Sequence, residues 1–232
     1  MQYFFNEIIS PLVIKNKYKD ICEIGAEFGG NTDNLLGIDF VRVSTIDPCV
    51  DADLQNKYRS NDRIKIYNGF SLQVLPELSG QFDCFLIDGD HNWYSVFNEL
   101  KTIHEKDLLR KGGVIFLHDV LWPYGRRDMY YFPESIPEKF RHSYSQEGIE
   151  RGRSELSGKS SNYKGMNNAV FEGGARNGVL TAMEDFYKAH SREYIFLICG
   201  KESGLGILIK KKNIFTSIKY LKLRFYLRTV KG

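Results

Sequence analysis

The stretch ICEIGAEFGGNTDNLL, Ile21–Leu36, decides the fold. A short apolar run ends at Glu23-Ile24 and passes through a turn with Gly25 and Gly29 four apart, and Asn31-Thr32 then open a helical pattern. A strand feeding a glycine turn and a helix is the first half of a βα unit, with the backbone free to pass close to a ligand at the turn. The spacing is not G-x-G-x-x-G, which disfavours a pyrophosphate-binding dinucleotide site and a nicotinamide-dependent oxidoreductase. Outward from this turn the pattern repeats. Apolar runs at Val41–Ile46, Ile64–Tyr67, Cys84–Ile87 and Val114–Leu117 alternate with helical or turn segments, as βα units of a parallel sheet do. Gly112-Gly113 reads as the turn into the fifth run. Tyr194–Cys199 and Leu205–Ile209, joined by a short glycine-containing turn, read as a terminal antiparallel hairpin. The expected fold is α/β, a Rossmann-like doubly wound sheet of five parallel strands plus that hairpin.

The domain organisation follows. One domain of 232 residues is expected, with an N-terminal helix over 1–20, a cofactor-binding core over 21–121 and a final helix and antiparallel strands over 178–210. The final helix should run from about Val179 to Ala189. Between core and helix lies 122–177, rich in Gly, Ser, Tyr, Arg and Pro. A loop of that length leaving a central strand's C-terminal end reads as a substrate lid. Its Arg126, Arg127, Asp128 and Tyr130, with Arg176 and Asn177, either recognise an anionic or polyhydroxylated acceptor or pack the lid itself. The tail, 211–232, is basic and free of acids. It either touches an anionic membrane or a partner, or packs as a helix on the core or on a second subunit.

Composition excludes other classes. A formal net charge of +3 gives no argument for a nucleic-acid partner. No apolar run is long enough to span a membrane and the N-terminus lacks secretory-signal features, so a cytoplasmic protein is expected. Cys22, Cys49, Cys84 and Cys199 are widely spaced and suggest neither disulfides nor a cysteine metal site.

Chemistry-bearing residues fall where the strands should end. Asp47 closes the second strand in STIDPCV, placed either to accept hydrogen bonds from a ribose diol or to cap a turn before Pro48. The third strand delivers Asn68, Gly69, Phe70 and Ser71. The fourth ends in FDCFLIDGDHNWY and the fifth in GGVIFLHDVLWPYG, which brings Asp88 and the pair His118-Asp119 to one sheet edge. Carboxylates gathered there, with water and substrate oxygens, suit a divalent metal, Mg²⁺ or Mn²⁺. The alternative is a salt-bridged loop edge without metal. His91, three residues after Asp88, is either a helix cap or a proton acceptor at neutral pH.

The order EIGAEFGG, an acid after the second strand, then NGFSLQVLPEL, resembles the catechol and caffeoyl-coenzyme A O-methyltransferases and their bacterial sugar- and antibiotic-modifying relatives. These are class I S-adenosylmethionine-dependent enzymes. The resemblance covers about Ile21 to Trp122 and returns weakly in the last strands. It implies that Glu23, the Gly25–Gly29 turn and Thr32 hold the amino-acid end of S-adenosylmethionine, Asp47 its ribose, and Gly69, Phe70 and Ser71 its adenine. Asp88 would serve both cofactor and metal, with His118 and Asp119 completing the metal site and His91 taking the acceptor's proton. His118 departs from the carboxylate usual in those relatives. An imidazole there either shifts preference toward Mn²⁺, Fe²⁺, Co²⁺ or Zn²⁺, or only hydrogen-bonds beside the site. Catechol-type relatives carry helices ahead of the first strand where this sequence has only the short stretch Met1–Asp20. That implies a differently built acceptor pocket and favours a small sugar-containing acceptor. Homodimerisation through the terminal helix or the lid is expected by analogy. A metal-independent methyltransferase and a non-catalytic cofactor-binding protein are the competing readings.

Overall fold

A computed structural model describes residues 1–213. Its main sheet has seven strands: β1 (Asp20–Ile24), β2 (Arg42–Asp47), β3 (Ile64–Asn68), β4 (Phe82–Ile87), β5 (Leu109–His118), β9 (Tyr194–Cys199) and β10 (Leu205–Lys210). Their order is β3-β2-β1-β4-β5-β10-β9, with β1 to β5 parallel and the β9–β10 pair antiparallel. The hairpin folds back so that its second strand, β10, pairs with β5. β9 therefore runs in the same direction as the first five strands, and β10 alone opposes them.

Side-chain alternation explains why the sheet is covered on both faces. Cys84 and Leu86 of β4 and Val114 and Phe116 of β5 join one buried cluster, with Phe4, Ile9 and Val13 of the N-terminal helical segment and Leu35 of α3 (Gly30–Leu36). Their neighbours Phe85, Ile87, Ile115 and Leu117 join the other, with α6 (Trp93–Glu105) and α7 (Val179–His190). Period-two burial on two apolar faces is what a doubly wound sheet requires.

The N-terminal segment is helical from Gln2 to Asn16: α1 (Gln2–Phe4), a π turn (Phe5–Ile9) and α2 (Ser10–Asn16). Two short helices, α4 (Ala52–Tyr58) and α5 (Ser71–Val74), complete the crossovers. Gly112 and Gly113 lie within β5, not in a turn before it. The β4–β5 register shifts between Phe82 and Cys84, and a Cβ on Gly113 would come within 2.6 Å of the Asp83 carbonyl.

The segment 122–177 is compact. Its strands β6 (Met129–Tyr130), β7 (Tyr144–Ser145) and β8 (Asn167–Ala169) form a small antiparallel sheet, β6-β8-β7. Tyr124, Met129, Ile149 and Leu156 make a core beneath it. No helix among the described residues is long and apolar enough to cross a membrane. The basic stretch from residue 214 onward, to which the expectations for the tail apply, lies outside the described residues.

Candidate active site

The C-terminal ends of β1, β2, β4 and β5 open into one cavity of about 940 Å³. Gly25, Asp47, Phe70, Ser71, Asp88, His91, His118 and Asp119 line it, and Tyr131, Phe132 and Ile136 of the 122–177 segment reach its wall. The loop after β4 is tied to that segment, because the Met129 N–H donates to the His91 carbonyl at 3.0 Å.

Gly25 shows why the turn needs glycine. Its φ is +89°, and an added Cβ would run into the backbone of Asp88 and Gly89. Its N–H donates to the Ile46 carbonyl and the Asp88 N–H to that of Ile24, so the three loops are laced by backbone bonds, each of 2.9 Å.

Asp47 takes the capping role open to it. One carboxylate oxygen accepts the N–H groups of Ala26 and Glu27 at 2.9 Å, and the other accepts that of Cys49 at 2.7 Å. It thus caps the turns around it while standing on the cavity wall. Glu23, Gly29, Thr32 and Gly69 are not on that wall. Glu23 is 1 % exposed and accepts the Thr32 hydroxyl proton beneath the glycine turn. Burial pushes its carboxyl up to about 7, with the Thr32 bond opposing and the charge of Asp88 adding to the rise. Glu23 and Thr32 therefore hold the turn's shape from below. Gly29 caps α3 and its carbonyl accepts from the Tyr58 hydroxyl at 3.0 Å.

The acid–imidazole cluster sits where β4 and β5 end. His118 Nδ1 lies 2.9 Å from Asp88 Oδ1 and 3.2 Å from Asp119 Oδ1, while His91 Nε2 lies 2.9 Å from Asp119 Oδ2 and 3.8 Å from Asp88 Oδ1. The other Asp88 oxygen is 3.1 Å from the Met1 amine. Donor atoms of Asp88, His91 and His118 converge within 4.8 Å, as metal ligands do. His91 thus stands inside the cluster and not only beside it. Burial opposes ionisation of Asp88 and Asp119, but their imidazole partners hold both carboxyls below the usual range. For His91, burial pulls the other way from its neighbours, and Asp119, Asp88 and Asp90 together raise its pKa. Asp119 also has a φ of +55°, an uncommon conformation for a non-glycine residue.

Among the cavity residues outside the sequence reading are Asp90, Ser95 and Glu99. Asp90 accepts from Asn92 Nδ2, from the Ser95 hydroxyl at 2.7 Å and from the His91 N–H at 3.1 Å. Glu99 accepts the Ser71 hydroxyl proton at 2.5 Å, while its second oxygen is buried without a hydrogen-bond partner. Burial pushes Glu99 up to about 8, partly offset by the Ser71 bond. The signal was present in the sequence. Ser95 and Glu99 are four apart, next to the apolar stripe of Val96, Leu100 and Ile103, where polar groups need a reason.

Arg126, Arg127 and Asp128 pack instead of facing the cavity. Arg127, 1 % exposed, donates to the carbonyls of Ala169 and Ser154. Asp128 accepts the N–H groups of Trp93 and Gly178 and the Tyr130 hydroxyl proton, and Asn177 accepts the Asp128 N–H at 2.6 Å. Arg126 forms a two-pronged bond with Glu184 of α7.

Comparison with known proteins agrees with this architecture. Residues 23–120 match the family described as "Methyltransferase domain". Comparison with curated protein sequences gives no match. Among solved structures, a methyltransferase of Podospora anserina with SAH bound is similar at a TM-score of 0.54 and 18 % identity, over 87 % of this chain and 75 % of that one. A putative caffeoyl-CoA O-methyltransferase of Staphylococcus aureus gives 0.52 and 17 %, over 88 % and 81 %. An O-methyltransferase of Bacillus cereus in complex with SAH gives 0.51 and 17 %, over 88 % and 79 %. Residues 23–120 thus match a methyltransferase-domain family, in a chain that shares the fold of these solved methyltransferases.

Proposed function

We propose that the protein methylates a hydroxyl oxygen of a small, sugar-containing acceptor, with S-adenosylmethionine as donor and a divalent metal beside the acceptor. One observation carries this reading: the glycine turn and the Asp88, His91, His118 and Asp119 cluster share a wall of one cavity. That the similar P. anserina and B. cereus proteins were solved with SAH bound supports the choice of donor.

S-adenosylmethionine supplies an electrophilic methyl group on a sulfonium. Gly25, Asp47, Phe70, Ser71 and Asp88 are the residues of the expected set placed to hold it, and Glu99 adds a buried oxygen that still needs a partner. The donor set of two carboxylates and two imidazoles fits a divalent cation, since the Asp88 and Asp119 carboxyls are ionised and crowded. Asp88, His118 and Asp119 would hold that metal, which supplies Lewis-acid stabilisation of an alkoxide.

His91 accepts the hydroxyl proton through Nε2, the nitrogen turned toward the cluster, once that atom is free of the proton it shares with Asp119. Tyr131, whose ring centroid lies 5.9 Å from that of His91, and Phe132 cover the reacting atoms and exclude water. Glu134 and Ser135 on the same stretch offer hydrogen bonds to a polyhydroxylated acceptor. The convergence of His91 with Asp88 and His118 favours a second reading, in which His91 is itself a ligand.

Titrating metal-stripped protein with S-adenosylhomocysteine, with and without Mg²⁺ or Mn²⁺ and with an Asp88→Ala control, tests the core of the proposal. Micromolar binding with a metal response lost in the control is expected; no binding under any condition overturns it. His91→Ala then divides the two readings. Turnover lower by roughly 10²–10⁴ with unchanged metal affinity marks a base, whereas weakened metal binding marks a ligand. Full activity after exhaustive chelation selects metal-independent transfer.

A further inference from the structure

We propose that His104, His190 and Glu193 form a transition-metal site, suited to Zn²⁺, that fastens the C-terminal end of α6 to that of α7. This inference is independent of the reaction proposed above. His104 stands in the last turn of α6, His190 is the final residue of α7, and Glu193 lies in the turn leading into β9. Their donor atoms lie within 4.8 Å of one another.

The geometry is specific about which atoms converge. His104 Nε2 is 3.8 Å and His190 Nδ1 is 3.6 Å from the same oxygen of Glu193. Tetrahedral Zn²⁺ with bonds of about 2.0 Å spaces its ligand atoms about 3.3 Å apart, so a closure of a few tenths of an ångström completes these two edges. The imidazoles are packed with ring centroids 4.0 Å apart. Phe186 supports both rings, at 6.0 Å from His104 and 4.7 Å from His190.

Two further features favour a cation here. The Tyr194 hydroxyl is 3.4 Å from His104 Nδ1, the nitrogen not aimed at Glu193; an outer-shell partner at the second ring nitrogen is the usual support of a metal-binding histidine. Both histidines sit at helix C-termini, where the carbonyl ends favour positive charge. Two histidines and one carboxylate leave a fourth position for water.

Untagged full-length protein carrying Asp88→Ala and His118→Ala, which disable the cavity cluster, should be titrated with Zn²⁺ and with Co²⁺. One equivalent of metal, a visible Co²⁺ absorption band of tetrahedral intensity and a rise in melting temperature are expected. Adding His190→Ala should abolish all three, Glu193→Gln should weaken binding at least about tenfold, and Tyr194→Phe should weaken it roughly 10–100-fold. Absence of stoichiometric metal binding overturns the proposal, as does binding that His190→Ala and Glu193→Gln leave unchanged. Circular dichroism of each metal-free variant shows that the fold persists, so a lost metal response reports the site.

Discussion

At the scale of single residues, the site depends on a few side chains and one absent side chain doing more than one thing. Asp47 caps two turns with its carboxylate and still faces the cavity, which is why an acid before Pro48 admitted both readings in the sequence. Gly25 sits at φ +89° directly against the backbone of the β4 loop. Gly25→Ala should therefore cost roughly 1–3 kcal/mol of backbone strain and displace Asp88, the residue that anchors the acid–imidazole cluster. A fall in melting temperature together with at least tenfold weaker S-adenosylhomocysteine binding is expected. Gly80→Ala, at φ +84° but with open space around it, supplies the control for conformational strain alone. Equal losses of cofactor affinity in the two variants would show that close approach at Gly25 is immaterial.

At the scale of elements, one buried carboxylate organises the junction between lid and core. Asp128, just before β6, caps the first turn of α6 through Trp93 and the start of α7 through Gly178. Burial raises its pKa, and the two backbone bonds oppose that rise. Asp128→Ala leaves two buried N–H groups without their acceptor, each worth about 1–3 kcal/mol, so a loss of roughly 2–6 kcal/mol is expected in urea denaturation. Asp128→Asn keeps a carbonyl oxygen and should recover part of it; an Ala variant as stable as the parent would remove Asp128 from this role. Sequence reasoning left Asp128 and Arg127 either to recognise the acceptor or to pack the lid. Their true partners, the carbonyls of Ala169 and Ser154 and the N–H groups of Trp93 and Gly178, come from distant parts of the chain and leave no local pattern. The same holds for the lid's sheet, whose strands of two or three residues are too short to show a period.

At the scale of the whole molecule, the sheet was legible because its central strands are buried on both faces and bounded by turns, and each loop at their C-terminal ends carried a charged residue where none is needed for packing. What escaped was burial of charge inside helical patterns, and Glu99 is the clearest instance. Its carboxyl, fully enclosed and lifted to about 8, is predominantly neutral in the fold at pH 7, whereas the same group in the unfolded chain titrates near 4.5. The linkage has a definite sign: between about 4.5 and 8 the unfolded chain has released this proton and the folded one retains it, so rising pH favours unfolding. The limiting slope from such a group is about 1.4 kcal/mol per pH unit, and the penalty levels off above the folded value. Glu99→Gln preserves size and an oxygen for the Ser71 hydroxyl but cannot ionise. Urea denaturation of cofactor-free protein at pH 5.5, 7 and 8.5 should show the variant gaining on the parent at each step, while the contribution of Glu23, common to both proteins, cancels in the difference. A gap that stays constant across the three pH values would mean that Glu99 is ionised within the fold, its unpaired oxygen buried with charge.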